Sequence, residues 1–413
     1  MKIMVCLISG QHVPNLLSIQ SVRPDLLVLA VTSGMKGKDS QLLKALEVGG
    51  LDYSSKKEII DLAKGDEQSG DTIYKKLNDL YGQYPKDEWL VNLTGGTKPM
   101  SIGAYEFSKS KGLKTLYIAE GNQNQAIDLL GGPSTPLKHN VTTAEFLAGY
   151  GFNILNASSL AKAEVRAGFC TELAAHLALH NEAPDLRGLL GQLQYLKEGQ
   201  IKLDEDKWNR NGILMSEEDD VFLRDDALRD RIASQFGLST SGSKFIGKLD
   251  RHAVEFLTGK WLEVFIWSLL LPFVGKGIWD LHLGVLAGKR GPGENNDLDV
   301  SFMKNRSLCI VECKTGGQEH DPEANNALYR IEAIKSGAKA LRMDTYLATT
   351  SDNVKDPQRG GIKKKLLKRS KIYGCSIIPG WDIKEMAYLY TSDDPHLSFE
   401  VANAFGIKTE AFI

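Results

Sequence analysis

A chain of 413 residues exceeds what one hydrophobic core usually serves and predicts two or three domains. Hydrophobic residues at 42% and charged residues at 25% are ordinary for a folded soluble protein, and a net charge of -2 excludes a global electrostatic pull toward nucleic acid, so any basic surface has to be local. The five cysteines (Cys6, Cys170, Cys309, Cys313, Cys375) lie mostly in apolar runs and read as reduced thiols of a cytoplasmic protein, and no second Cys/His pair at zinc spacing accompanies Cys309 and Cys313.

In chain order, Met1 to Ser9 turns polar at Ser9-Gly10-Gln11, too soon for a signal peptide, and reads as a first strand. From residue 2 to about 131, Ile3–Ile8, Leu26–Val31, Trp89–Leu93 and Thr115–Ile118 read as strands, with helices near 38–48, 71–83 and 99–111 between them. Continuous β-branched runs alternating with helices predict a Rossmann-like parallel sheet covered on both faces. The cluster Gly131-Gly132-Pro133-Ser134-Thr135-Pro136 marks its end. From about 140 to 240, Ala161–Leu179 and Leu186–Leu196 carry helical spacing, followed by acids at Glu217–Asp220. This middle segment reads as a small helical, winged-helix-like unit that either packs the outer domains or presents a helix-turn-helix. Beyond about 245, a helix over Phe256–Leu271 precedes strands at Asp297–Met303 and Leu308–Lys314. A helix near 325–336, a strand at Thr345–Thr349, a basic helix near 361–370 and a strand at Cys375–Ile378 follow. The longest apolar stretch, Val264–Val274, contains Pro272 and is too short to span a bilayer, so no membrane segment is expected. The expected division is 1–136, 137–244 and 245–413.

The sharpest chemistry lies in Asn296-Asp297-Leu298-Asp299-Val300-Ser301-Phe302 and Ile310-Val311-Glu312-Cys313-Lys314, separated by the turn-like Lys304-Asn305-Arg306-Ser307. A loop of two residues or of four gives one antiparallel register, with Asp299 opposite Glu312 and Asp297 opposite Lys314. Alternation then puts Asp297, Asp299, Ser301, Ile310, Glu312 and Lys314 on one face, expected to be the site. Leu298, Val300, Phe302, Cys309, Val311 and Cys313 take the other, expected to be core. Carboxylates opposed with Cβ atoms roughly 5 Å apart repel unless a cation lies between them. Oxygen ligands suit Mg2+ or Mn2+, which activate water toward a phosphodiester, and Lys314 can orient that water or stabilise developing charge. Glu263, in Gly259-Lys260-Trp261-Leu262-Glu263, interrupts an apolar helix where a buried acid is costly without a partner.

Gly-x-Trp-Leu-Glu, then Asn-x-Leu-Asp-Val, then Ile-Val-Glu-Cys-Lys-Thr, with Leu328-Tyr329-Arg330-Ile331-Glu332 further on, resembles the PD-(D/E)xK nuclease domain of the CARF-fused effectors of type III CRISPR systems. The resemblance extends over essentially the whole chain. It implies that Asp299 and Glu312 bind metal, that Lys314 is the catalytic lysine and that Glu263 is an accessory acid. The nominal Pro-Asp is Leu298-Asp299 here. Members cut single-stranded nucleic acid or nick duplex DNA, so the implied substrate is DNA, RNA or both.

Two loops follow strands of the first domain: Ser9-Gly10-Gln11-His12-Val13-Pro14-Asn15 and Asn92-Leu93-Thr94-Gly95-Gly96-Thr97-Lys98-Pro99-Met100. Both are expected at the carboxyl ends of parallel strands, where open α/β sheets bind ligands. Thr94 to Lys98 can form a nest of backbone amides with hydroxyls and one cation at a helix N-terminus, which suits phosphate. It lacks the spacing of a P-loop or of GxGxxG. Together the loops resemble the CARF fold, whose homodimers bind cyclic oligoadenylate on the two-fold axis. By that resemblance Ser9, Gln11, Asn15, Thr94, Gly95, Gly96, Thr97, Lys98 and Met100 are contact candidates, joined by Ser33 and Gly34 after the second strand. The whole reading is a homodimeric α/β protein: a CARF domain, a helical middle segment and a restriction-endonuclease-like domain. Cyclic tetra-adenylate switches on its Mn2+- or Mg2+-dependent cleavage in antiviral defence. A ligand-responsive transcriptional regulator and a ring nuclease that degrades its own activator are the alternatives.

Overall fold

The computed structural model describes residues 1–119, 124–289, 295–316, 332 and 343–408. Five short apolar runs build the first sheet, which is parallel and ordered β3-β2-β1-β4-β5: β1 Lys2–Leu7, β2 Leu26–Thr32, β3 Lys57–Leu62, β4 Glu88–Asn92 and β5 Lys114–Leu116. Its helices are α1 Val13–Val22, α2 Lys38–Val48, α3 Gly70–Tyr81 and α4 Lys98–Lys111. Alternate residues of β1 serve opposite layers. Ile3, Val5 and Leu7 join Trp89, Met100 and Phe107 beneath α3 and α4, while Met4, Cys6 and Ile8 join Leu16, Leu17 and Leu42 beneath α1 and α2. Two elements differ from expectation. β3 is an edge strand, Lys-Glu-Ile-Ile-Asp-Leu, whose charges break the apolar pattern and protect an open edge. α1 begins at Val13 with Pro14 in its first turn, where the missing amide hydrogen costs nothing.

A two-strand ribbon, β6 Gln125–Ala126 with β7 Thr135–Pro136, leads to α5, Thr143–Gly149. The side chains of Thr142 and Glu145 close a capping box at the start of α5. α5 lies between α2 and the C-terminal sheet, and its apolar residues fuse the two halves. Met4 and Leu16 of the first domain, Phe146 and Leu147 of α5, and Leu298, Ile310 and Met343 of the last belong to one continuous core.

The middle segment is helical, but the helix expected over Ala161–Leu179 is two, α6 Ala157–Gly168 and α7 Thr171–Leu179, broken where Phe169 turns outward. Then come α8 Pro184–Leu203, α9 Glu205–Asn211, β9 Ile213–Met215, α10 Asp226–Phe236, β10 Ser239–Ser241 and β11 Lys244–Leu249, the strands ordered β10-β11-β9. Leu189, Leu193, Ile232 and Phe245 share a core with Trp261, Phe265 and Val311, so this segment is built into the C-terminal half.

The last sheet is mixed, ordered β16-β15-β14-β13-β12-β8: β8 Asn153–Ile154, β12 Ile278–Gly288, β13 Asn296–Lys304, β14 Ser307–Lys314, β15 Met343–Thr349 and β16 Cys375–Pro379. Asn305 and Arg306 have φ of 49° and 60° and Lys304 pairs Ser307, so of the two loop lengths left open the hairpin takes the two-residue one, with the positive φ at both positions that a type I′ turn requires. The helix expected over Phe256–Leu271 is kinked: α11 Arg251–Glu255 passes through a π-turn at Phe256–Lys260 with non-helical backbone at Gly259, and α12 restarts at Trp261–Leu270. By length and composition Arg251–Phe273 passes as a membrane-crossing helix, and here it is mostly buried inside the fold. α13 Lys364–Ile372, α14 Gly380–Thr391 and α15 Leu397–Phe405 complete the chain. The expected helix near 325–336 and the Leu328 to Ile331 stretch lie outside the described residues.

Candidate active site and sensing surface

The expected register holds along the hairpin, from Lys304↔Ser307 to Val300↔Val311. Past that point the pairing takes another form. The Asp299 carboxylate accepts the backbone N–H of Cys313 at 2.7 Å, and the Lys314 ammonium sits 2.7 Å from Glu312 Oε1 while Asp297 is exposed. The expectation that one face of the hairpin is core and the other the site is therefore corrected. Val300, Phe302, Cys309 and Val311 lie in one buried layer, Met303, Leu308 and Ile310 in the opposite one, and Ser301 is fully buried. The acids gather where the ladder ends instead, at the tip of the strand pair.

The kink at Gly259 brings in the third acid. It makes Glu263 a first-turn residue of α12, where the helix dipole favours a carboxylate, and points it into the same cleft as Lys314 and Cys313. Asp299 is 6% exposed and Glu312 fully buried. Burial and the neighbouring Glu312 charge push the Asp299 carboxyl well above the ordinary range, and burial together with Asp299 does the same to Glu263. Burial also raises the Cys313 thiol, which stays neutral against the acids. Three carboxylates drawn out of water beside one lysine make an oxygen donor set short of positive charge. The donor chemistry suits a hard divalent cation, but no group of three His, Cys, Asp or Glu among the described residues stands at metal-holding spacing.

The two loops of the first domain follow β1 and β4, which are neighbours in the sheet and whose helices leave toward opposite faces, the switch point of an open α/β sheet. Gln11, Ser33, Gly34, Thr97 and Lys98 are exposed there, and Ser9 partly so. The remaining candidates brace the loops. Asn15, 2% exposed, donates to the Leu7 carbonyl and accepts from Asn92, and Met100 is fully buried beneath α4. Thr94 Oγ1 accepts the Ile118 N–H at 2.9 Å, and Thr97 caps α4. A Cβ on Gly95 would collide with the Leu7 carbonyl oxygen, and Gly96 has φ of 76°, so both glycines are required by the close approach of the two loops. His12 is buried against Tyr150 at a centroid distance of 5.5 Å, and burial lowers its pKa to about 4. Its only sequence signal was its place between the loop and Pro14. Lys197, Glu255 and Lys260 also line the cleft at Glu263 and carried no sequence signal, being brought in from the middle segment and the kink.

Residues 3–146 match the family model described as the Card1 CARF domain, and residues 250–369 match the one described as the Card1-like endonuclease domain. Among solved structures, protein VC1899 from Vibrio cholerae superposes with a TM-score of 0.74 at 18% identity, covering 98% of this chain and 99% of that one. Can2 from Sulfobacillus thermosulfidooxidans, solved in complex with cyclic tetra-adenylate, gives 0.67 at 18% identity over 95% and 99%. At this identity the likeness speaks for the fold. Among curated proteins none matches the sequence.

Proposed function

We propose that the chain is a Card1-type protein, joining a CARF domain to an endonuclease domain, in which cyclic tetra-adenylate bound by the first domain switches on divalent-metal-dependent cleavage of DNA or RNA by the second. The observation that carries the reading is the convergence of Asp299, Glu312, Glu263 and Lys314 at the end of one strand pair.

In this reading Asp299 and Glu312 hold Mg2+ or Mn2+. Such an ion would supply an activated water for attack on a phosphodiester and a positive charge opposite the phosphoryl oxygens. The protein's own groups do the rest. The Cys313 N–H fixes one Asp299 oxygen, so the carboxylate presents the other to the cleft. Lys314, 2.7 Å from Glu312, can place an N–H donor where a non-bridging phosphate oxygen gains charge. Glu263 adds a carboxylate that accepts a proton from incoming water.

The activator reading rests on Gln11, Ser33, Gly34, Thr97 and Lys98 at the sheet's switch point, with Ser9 beside them, and on the ligand seen in Can2. A two-fold homodimer presents this patch twice, matching a ring with its own symmetry. Thiol-only cysteines suit a cytoplasmic setting. The working units are 1–136, 137–244 and 245–413. With Mn2+ and cyclic tetra-adenylate, Asp299→Ala and Glu312→Ala are expected to lose at least 100-fold in cleavage rate, on the order of one essential electrostatic group, while binding the activator as the parent does. Full cleavage by both variants contradicts the assignment.

A further inference from the structure

A cleft of about 280 Å³ opens beside the acids, near the lower bound of ligand-sized pockets. Its walls come from three parts of the chain. Lys314 and Glu263 belong to the endonuclease sheet and α12, Lys260 stands at the kink, and Lys197 reaches in from α8 of the middle segment. A chain with net charge of -2 thus gathers three lysines at one opening. Glu255 ties one of these cations to a second that does not line the cleft: its carboxylate lies 3.2 Å from the Lys260 ammonium and 2.7 Å from Arg251. α8 is itself moored next to the sheet by the Arg187–Asp352 ion pair, so Lys197 is held on a fixed element. Burial lowers the Lys197 pKa, the mark of a cation drawn partly out of water. Gly259 adds no side chain to the cleft, and Thr315 Oγ1 lies 3.8 Å from where one would begin.

Cations standing apart from the metal-holding acids, in a cleft too polar for an apolar ligand, suit a row of phosphates. We propose that Lys197 and Lys260 are substrate-positioning residues that grip backbone phosphates flanking the scissile one, and that the middle segment completes the nuclease cleft by supplying Lys197. The inference rests on the nuclease reading for its chemistry, and its binding arm can fail separately.

The test uses the full chain carrying Lys197→Met or Lys260→Met, which keep the apolar stem, and Lys197→Arg or Lys260→Arg, which keep the charge. In a Glu312→Ala background, affinity for a labelled single-stranded 20-mer is followed against salt. Each Met change is expected to weaken binding roughly tenfold and to lower the log–log salt slope by about 0.7, the value of one phosphate contact on a single strand. The Arg changes restore both. In the active protein, supplied with Mn2+ and cyclic tetra-adenylate, the same Met changes raise KM with kcat nearly unchanged. An unchanged salt slope, or a fall in kcat with KM intact, overturns the proposal. A parent protein that binds the strand in this lysine-dependent way yet cuts neither DNA nor RNA overturns the nuclease reading and upholds the grip.

Discussion

At the scale of single residues, the acid cluster is a place where the fold accepts a cost. Burial and like charge raise the Asp299 carboxyl pKa, so the folded chain keeps that proton to higher pH than the unfolded chain does. The sign follows: the cost is absent below the ordinary Asp range and grows as pH rises from there through the folded-state pKa. Asp299→Asn keeps an oxygen for the Cys313 N–H and removes the charge. In metal-free buffer it is expected to melt a few degrees above the parent at pH 8 and level with it at pH 4 by calorimetry; equal melting at both pH values contradicts the account. Much of this cluster was legible beforehand because its determinants are local. The Asn305-Arg306 turn sets the register, and an acid in an apolar helix asks for a partner. The assignment of an open face failed because Asp297 to Phe302 alternates like a strand exposed on one side, while the second layer that buries Met303, Leu308 and Ile310 comes from α5 and the first domain, far away in the chain. Lys197 was invisible because only the tertiary fold carries α8 to the cleft, and Lys260, although beside Glu263 in the motif, is turned to the cleft by a kink that the helical pattern does not announce.

At the scale of elements, α5 is the joint between sensing and cutting. Its N-terminal amide, on Thr143, donates to Asp280, a residue held at φ of 51° on β12. His282 then sits between Asp280 at 3.2 Å and Glu164 of α6 at 3.1 Å. Its bonds to Asp280 and Glu164 raise the His282 pKa to about 9. A raised histidine contributes stability that is complete below its unfolded value of about 6.5 and is lost as pH rises through about 9. The melting temperature of the parent is therefore expected to fall more between pH 7 and pH 10 than that of His282→Gln; parallel curves contradict the role. Leu147, buried in the core shared by both halves, gives a second handle. Leu147→Ala should cost about 2–5 kcal/mol and raise the activator concentration needed for half-maximal cleavage, while calorimetric affinity for the activator by the first domain changes little. A stability loss with an unaltered activation curve removes α5 from the coupling. The Thr142-x-x-Glu145 capping box marks the start of α5 in the sequence, but its place as a joint was not legible there, since its burial depends on α2 and the last sheet, far away in the chain.

At the scale of the molecule, the two outer domains could be read from motif and periodicity because each carries its own apolar alternation and its own polar loops. Their union could not. One core runs from β1 through α5 to β13, and another from α8 through α12 to β14, while the α3 and α4 layer of the first domain keeps a core of its own. A ligand that favours one arrangement of the first domain can then bias the other only through differential affinity for two arrangements of this continuous body. The most direct test is cleavage of labelled single-stranded DNA and RNA in Mn2+ by the parent protein, with and without cyclic tetra-adenylate. The account predicts cutting that depends on the activator and disappears in Glu312→Ala. Equal cutting with and without activator, or cutting that survives in Glu312→Ala, would contradict it.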